Sequence, residues 1–429
     1  MSDSTGYEVR TRLGWALSGG GFRAAFFHLG VMAQMARLGL LRHVEALSTV
    51  SGGSIIGTLY YIHVKRLLER LPDEEITDRH YVELVEEVER AFLAGVQKNV
   101  RMRAAIDIER NLKMALPSYS RTDRLGELYD EIFYRPAWGT KRDRPIEMRE
   151  LIIQPAGASP GFSPRTMNAA RRAKVPILTL NACSLNTGRA WHFTAMRMGE
   201  PPSNDDISRE IDKRDRLRRA EEYDHLPPVQ ATIPVGLAVA ASSCVPGLFP
   251  PLALSNLYPG VRVQLVDGGA YDNQGVTALL NLGCDRVVVS DASGQMDFVA
   301  APGTSMLEVI GRVSTVVTDR VRDLELRALL GAEHVALLHL RKGLDATAIP
   351  WLRPDGSPAG EAVPERTPDR APESFGVSRE VQARLAAIRT DLDSFTTVEA
   401  QALMLDGYLM AGDELPRHTA IASMTAAPP

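Results

Sequence analysis

The fold is decided near the start of the chain, by residues 13–54, LGWALSGGGFRAAFFHLGVMAQMARLGLLRHVEALSTVSGGS. A short apolar run over 13–18 ends at three glycines, and from Phe22 onward large apolar residues recur at helical spacing. Gly39 favours a helix end, because glycine readily adopts the left-handed conformation. A second apolar run, a second glycine turn and a helix over about 54–71 follow. Strand, glycine turn and helix, occurring twice in succession, predict a parallel βαβ unit.

Ser51 occupies the second glycine turn, where the predicted strand passes into the helix. A serine hydroxyl is a weak nucleophile unless a base accepts its proton and a tight turn holds it clear of the chain. In the motif G-x-S-x-G, the flanking glycines allow that turn. Here Gly53 follows the serine, whereas Thr49 stands where the preceding glycine belongs. We therefore interpret Ser51 as the candidate nucleophile, on an incomplete motif.

The first glycine turn offers what acyl transfer needs beside a nucleophile. Negative charge develops on the carbonyl oxygen in the transition state, and each backbone N–H group aimed at it contributes about 2.7–4 kcal/mol. Gly19, Gly20 and Gly21, at the start of a predicted helix, are the candidate donors. Because both turns follow parallel strands, we expect them to face one crevice.

Two interpretations compete at the first turn. The segment GGGFRA after a strand resembles a loosened dinucleotide-binding motif. Against that motif, Ala24 stands where the last glycine belongs, and the second strand runs into Ser51 instead of an acidic residue.

Arg23 is either a surface or salt-bridged arginine, or a residue that binds an anionic group of the substrate such as phosphate. The sequence leaves both roles of Arg23 open.

Asp267 is the candidate base. It ends the alternating run 261–266 and precedes two glycines in the segment LVDGGAYDNQG, residues 265–275. We expect it on the same side of the sheet as Ser51, in a crevice where desolvation raises the pKa of the carboxyl group and lets it take the serine proton directly. Alternatively Asp267 only forms a turn, a role that Asp272 in the same loop also fits. Structural roles suffice for the nine histidines.

In combination, these motifs resemble the patatin-like phospholipase family. The similar segments are 18–23 (SGGGFR) to its oxyanion loop, 50–54 (VSGGS) to its nucleophile elbow, 241–251 (ASSCVPGLFPP) to a stretch that supports the crevice, and 267–269 (DGG) to its catalytic aspartate motif. The resemblance covers residues 13–295. It implies a three-layer α/β/α fold with a mainly parallel central sheet, a Ser–Asp dyad without histidine, and hydrolysis of lipid esters without a metal or other cofactor. Ala24 and Thr49 depart from the family pattern.

The rest of the chain extends this core. Periodicity and composition predict a helical insertion over 73–114, strands over 175–183, 191–195, 285–290 and 334–340, a charged surface excursion over 201–223, a helical stripe over 306–324, a long loop over 343–374 and helices after 378. We divide the chain into a patatin-like domain, 13–295, and a C-terminal extension, 296–429, of helices and one strand packed on it.

Composition limits the partners and the compartment. The net charge of −4 gives no reason to expect nucleic acid. Three cysteines without a CxxC pair argue against a disulfide framework and fit a reducing compartment. The first residues lack the apolar core of a secretory signal, and no apolar stretch reaches the roughly 20 residues of a membrane span. We expect a cytoplasmic protein that meets lipid transiently, at the membrane surface.

Two classes of function remain open on the sequence. In the first, the chain is a phospholipase A or lysophospholipase that cleaves a phospholipid or other lipid ester through an acyl-enzyme intermediate. In the second, it is a catalytically degenerate scaffold, or a lipase that is gated by an effector and has a regulatory binding role. Retention of Ser51, Asp267 and the glycines favours the first class.

Overall fold

The computed structural model describes residues 11–100, 103, 119–202, 216–217, 219–329, 334–361, 363–365 and 375–425. The strands in these ranges are β1 Leu13–Leu17, β2 Val44–Val50, β3 Ile177–Ser184, β4 Arg189–Phe193, β5 Arg197–Gly199, β6 Glu221–Glu222, β7 Leu252–Tyr258, β8 Val261–Asp267, β9 Arg286–Asp291, β10 Val335–His339, β11 Ala346–Ala348 and β12 Val363–Glu365.

Nine helices of six or more residues lie in the same ranges. They are α1 Gly21–Arg37, α2 Gly52–Arg70, α3 Asp78–Val96, α4 Arg121–Tyr129, α5 Val235–Ser243, α6 Val276–Asn281, α7 Met306–Leu329, α8 Arg379–Ala386 and α9 Thr397–Glu414. Single-turn helices cover Arg135–Ala137, Pro164–Met167, Pro228–Ala231 and Thr419–Ala422. None of the described helices is both long and apolar enough to cross a membrane.

Five parallel strands form the centre of one mixed sheet, in the order β10–β9–β1–β2–β3. β4, β5 and β6 continue the sheet beyond β3 in antiparallel fashion. β7 and β8 form an antiparallel pair that is attached to β3, and β11 pairs with β12 separately. The two strands of the opening segment are therefore adjacent and parallel, as the sequence predicts.

Helices cover both faces of the central strands. Successive side chains of a strand point to opposite faces. Trp15 and Leu17 of β1 lie in a core shared with α1, α2, α3 and α9, whereas Ala16 lies in a second core with α6. Val288 and Val287 of β9 divide between the two cores in the same way. The three-layer α/β/α fold with a mainly parallel sheet and C-terminal helices is thus confirmed.

β8, the strand that ends at Asp267, pairs with β3 so that its carboxyl end faces the carboxyl end of β2. β3 is longer than β2, and its first part pairs with β2 as far as Asn181, which lies opposite Val50. The next residue, Ala182, pairs with Asp267 at the end of β8. Since β8 is antiparallel to β3, its carboxyl end meets the carboxyl end of β2. The sequence correctly predicts that both strands end at one place, but it does not reveal that β8 runs in the opposite direction.

The C-terminal residues join the same sheet and core. The strand predicted over 334–340 is confirmed as β10, which pairs with β9. α9 crosses α1 so closely that a Cβ atom at Gly30 or Gly407 would overlap a backbone carbonyl of the opposite helix. The domain boundary at residue 295 stays a prediction.

Several predicted segments are described only in part. α3 lies within the helical insertion predicted over 73–114, whose residues 101, 102 and 104–114 are outside the described ranges. The same holds for 203–215 and 218 of the surface excursion, and for 362 and 366–374 of the long loop. The sequence did not predict α4, α5, β7, or the small sheet of β11 and β12.

Candidate active site

Ser51 lies in a strained turn between β2 and α2. Its φ of 51° and ψ of −119° fall in a region that residues with a Cβ atom seldom adopt, at a cost of roughly 1–3 kcal/mol. The N–H group of Ser51 donates to Ser242, whose carbonyl oxygen and Oγ both lie 3.1 Å away. Cβ atoms at Gly52 or Gly53 would overlap carbonyl oxygens at the end of β1 and the start of α1. The two glycines therefore allow α2 to begin directly against the first glycine turn.

Thr49, the departure from the elbow motif, is accommodated by a third glycine. Its methyl carbon lies 2.6 Å from the position that a Cβ atom of Gly57 would occupy. Its hydroxyl lies 2.9 Å from Oγ of Ser54, within hydrogen-bond distance. Thr49 thus fills space that Gly57 leaves open beside α2, which explains how the turn forms without the motif's first glycine.

Of the three predicted oxyanion donors, two have free N–H groups. The N–H group of Gly19 donates to the carbonyl oxygen of Asn273 at 3.0 Å, which ties the first turn to the loop after Asp267. Gly20 and Gly21 line the cavity that contains Ser51, and within the described residues their N–H groups make no hydrogen bond. The prediction for Gly19 is corrected, because its N–H group is engaged and positions the turn. Gly20 and Gly21 remain as candidate donors.

Asp267 is buried and contacts Ser51. Its Oδ1 accepts the N–H group of Gly269 at 2.8 Å, and its own N–H group donates to the carbonyl oxygen of Cys244 at 3.1 Å. Burial raises the pKa of Asp267 to about 6, and the hydrogen bonds from Gly269 and from the Ser51 hydroxyl offset part of that rise. Asp267 is therefore a stronger base than an exposed aspartate, and it lies beside the hydroxyl group whose proton it would accept.

Both aspartates of this loop form turns: Asp267 caps the short turn Gly268–Ala270, and Asp272 holds the residues that follow. Oδ1 of Asp272 accepts the N–H group of Gly275 at 2.7 Å, and its Oδ2 accepts that of Thr277 at 2.8 Å. Both carboxylate oxygens are thus used to hold the loop before α6. Asp267 is the carboxylate of the loop that lines the cavity.

Arg23 holds the C-terminal segment in place, and its interpretation as a substrate-binding residue is corrected. The side chain is buried, and its guanidinium donates to the carbonyl oxygens of Ala292 (2.9 Å), Ala386 (3.0 Å) and Ile388 (2.8 Å). These acceptors come from the end of β9 and from α8 and the residues after it. Since the donors are engaged inside the protein, Arg23 does not reach the cavity.

The same C-terminal segment argues against a nucleotide at the first turn. The N–H group of Phe22, in the first turn of α1, donates to the carbonyl oxygen of Asp391 at 3.0 Å. A Cβ atom at Gly21 would overlap the carbonyl oxygen of Thr390. A bound pyrophosphate needs these amide groups. The carbonyl group of Asp391 instead engages the N–H group of Phe22. The carbonyl group of Thr390 lies beside Gly21.

The described histidines do not line the cavity. His28 is the nearest to the first turn in sequence. Its Nδ1 lies 2.7 Å from Oγ of Ser290 and its Nε2 lies 3.0 Å from the carbonyl oxygen of Ser18, and burial lowers its pKa to about 4. Its role is structural. The described residues also contain no cluster of three or more His, Cys, Asp or Glu side chains suited to a metal ion.

Ser51 and Asp267 open into one cavity of about 720 Å³. Val245, Leu248 and Phe249, from the stretch between α5 and β7, form an apolar part of its wall. A second part comes from α7, which contributes Gly311, Ser314, Thr315 and Thr318. The helix itself was predicted from its apolar stripe, but its place beside the cavity was not, because sequence periodicity does not show what a helix packs against.

An α/β/α fold in which a strained serine and a buried aspartate share one cavity is typical of acyl hydrolases with a serine nucleophile. The sequence model of the family described as patatin-like phospholipase matches residues 16–280. The chain belongs to the patatin-like phospholipase family.

Solved structures similar to this chain include three of human GIVD cytosolic phospholipase A2. One is in complex with a methyl gamma-linolenyl fluorophosphonate inhibitor and terbium chloride; it is 15% identical, with a TM-score of 0.45, over 97% of this chain and 59% of that one. The second structure is of the phospholipase and has a TM-score of 0.41, and the third, of its complex with methyl gamma-linolenyl fluorophosphonate, has a TM-score of 0.42. Both are 14% identical to this chain, and each match covers 97% of this chain and 60% of the other. The chain thus spans about three fifths of their length. Comparison with curated proteins gives no match.

Proposed function

We propose that the chain is a lipid acyl hydrolase of the phospholipase A or lysophospholipase type, which cleaves carboxylic esters through a dyad of Ser51 and Asp267. The observation that carries the proposal is the placement of a strained serine and a buried aspartate beside each other on the wall of one cavity. Backbone strain persists only where the surrounding structure maintains it, and it clusters at active sites.

In the first half of the reaction, Asp267 takes the proton from Oγ of Ser51 as that oxygen attacks the ester carbonyl carbon. The negative charge of the tetrahedral intermediate develops on the former carbonyl oxygen, to which the N–H groups of Gly20 and Gly21 donate. Collapse breaks the ester C–O bond, and Asp267 returns the proton to the departing alcohol. Ser51 then carries the acyl group.

In the second half, a water molecule attacks the acyl carbon while Asp267 takes one of its protons. Collapse of the second intermediate expels Oγ of Ser51, which regains the proton from Asp267, and frees the fatty acid. The apolar wall of Val245, Leu248 and Phe249 is suited to the acyl chain. Every step uses side chains and backbone groups of this chain, without a cofactor.

Product analysis tests this proposal. Purified protein is incubated in ¹⁸O-labelled water with a phosphatidylcholine whose two acyl chains differ, and the products are separated by mass spectrometry. We expect fatty acid and lysophosphatidylcholine in equal amounts, with one ¹⁸O atom in the fatty acid because water attacks the acyl carbon. Lipid binding by folded protein without release of fatty acid from either phosphatidylcholine or lysophosphatidylcholine would contradict the proposal and favour a scaffold.

We further propose that the predicted membrane contact is made through α7. The half of α7 nearest its N-terminus presents large apolar side chains to solvent. They are Met306, Leu307, Ile310, Val313 and Val317, each more than half exposed. Exposed apolar surface of this extent indicates a partner, and a helix with one apolar face binds in the plane of a membrane interface. Since α7 also lines the cavity, this contact would bring the catalytic site to the lipid.

Replacing Leu307 and Ile310 together by serine is expected to weaken binding to phosphatidylcholine vesicles by about 10- to 100-fold, because two large apolar side chains no longer enter the bilayer. Sedimentation with the vesicles measures the change. Val229→Ser, which alters an equally exposed residue outside α7, is the control and should bind normally. Hydrolysis of a water-soluble short-chain ester should be unchanged. Undiminished vesicle binding by the double variant would exclude α7 as the contact.

A further inference from the structure

Arg121 contributes a positive charge to the cavity wall. It is the first residue of α4, and its side chain is exposed on the cavity that contains Ser51 and Asp267. The other charged residues on the wall are Asp267 itself and Asp391. In the part of the chain that the structure describes, the guanidinium of Arg121 forms no ion pair and no hydrogen bond. Its charge is therefore available to a ligand in the cavity.

The backbone beneath Arg121 is fixed, although its side chain is not engaged. The N–H group of Ser120 donates to Oδ2 of Asp123 at 2.8 Å, which closes a capping box around the start of α4. The hydroxyl of the next residue, Thr122, is buried and donates to the carbonyl oxygen of Pro250. Pro250 directly follows Phe249 of the apolar wall. Arg121 is thus held at a defined place beside the part of the wall that is suited to the acyl chain.

We propose that Arg121 determines substrate specificity by binding a phosphate group of the lipid ester. The assignment rests on the proposed function and deepens it. Guanidinium presents a planar set of donors that matches two phosphate oxygens, and it stays charged at any physiological pH. Arg121 and Ser51 line the same cavity, so the phosphate group of a substrate whose ester lies at Ser51 is within the space that the guanidinium faces. Neutral esters would gain nothing from this residue.

Two soluble esters that differ only in the phosphate-containing group separate this role from general damage. Dihexanoyl phosphatidylcholine carries the phosphate, and dihexanoyl glycerol lacks it; both are short enough to be used as monomers, so the membrane contact does not contribute. Arg121→Gln is expected to lower kcat/KM for the phospholipid by about 10- to 100-fold, mainly through KM, since one charged hydrogen-bonded contact is lost. The neutral ester should change less than about twofold.

Matched variants complete the test. Arg320→Gln removes an exposed guanidinium outside the cavity and should leave kcat/KM unchanged for both esters. Arg121→Lys should lose less activity on the phospholipid than Arg121→Gln, because the positive charge is kept. Equal losses on both esters, or no loss on either, would overturn the assignment and leave the dyad standing. Failure of the wild-type protein to cleave either ester would contradict the proposed function, and the role of Arg121 would fall with it.

Discussion

Replacement of Ser51 by alanine is expected to lower the rate of lipid ester hydrolysis by about 10⁴-fold or more, because no other group can form the acyl-enzyme. The protein should still fold. Ser51 is a small residue in a turn that is held by backbone hydrogen bonds and by the absence of side chains at Gly52 and Gly53. Initial rates of fatty acid release, together with thermal unfolding of both proteins, measure the two effects.

Ser184→Ala is the matched control for this experiment. Ser184 is equally small and buried, lies in β3 outside the cavity, and its Oγ has no hydrogen-bond partner among the described residues. It should retain wild-type activity. Residual turnover by Ser51→Ala above about one per cent of the wild-type rate would show that Ser51 is not the nucleophile.

Asp267→Asn is expected to cause the second largest loss, about 10²- to 10⁴-fold in kcat/KM. Asparagine has nearly the same shape and can still accept the N–H group of Gly269, but it cannot take the proton of Ser51. The loss should therefore appear without a large change in thermal stability. Steady-state kinetics on a soluble ester at a fixed pH above 7 give the measurement.

The pH dependence of the wild-type enzyme reports on the same carboxyl group. Burial raises the pKa of Asp267 to about 6, and only the ionised form can act as a base. Activity should thus be full above that pH and fall about tenfold for each unit below it. A profile of kcat/KM against pH that stays flat down to pH 5 would exclude Asp267 as the base.

Asp406→Asn provides a matched control for the carboxyl group. Asp406 lies on α9, outside the cavity, and burial raises its pKa to about 7. If the fall in kcat/KM at acidic pH came from a buried carboxyl group other than Asp267, Asp406 would be a strong candidate for that group. We expect the Asp406→Asn variant to show the same fall in kcat/KM near pH 6 as the wild-type protein, because this side chain does not contact Ser51.

The opening of the fold was predictable because each local signal agrees with the others. β1, α1, β2 and α2 all lie within a few residues of their predicted bounds. The direction of β8 was not predictable, since an alternating run such as 261–266 fits a parallel or an antiparallel strand equally well. Its direction depends on pairing with the far end of β3, which is a long-range contact.

The candidate site shows the same difference between residues that local motifs reveal and residues that only long-range contacts bring together. Ser51, Asp267 and the glycines could be proposed from the sequence because the chemistry proposed for them depends on short local motifs. The role of Arg23 stayed open on the sequence because a motif cannot show that carbonyl groups more than 250 residues away engage its guanidinium. Arg121 and the wall of α7 carry no motif at all. They become part of the site only when the chain folds, so the structure was needed to find them.

The most direct test of the dyad is covalent labelling with a fluorophosphonate, which reacts with activated serines, followed by identification of the modified residue by tandem mass spectrometry. We predict a single stoichiometric adduct on Ser51, no adduct in Ser51→Ala, and strongly slowed labelling in Asp267→Asn. An adduct on a different serine, or folded wild-type protein that is not labelled, would contradict an activated Ser51.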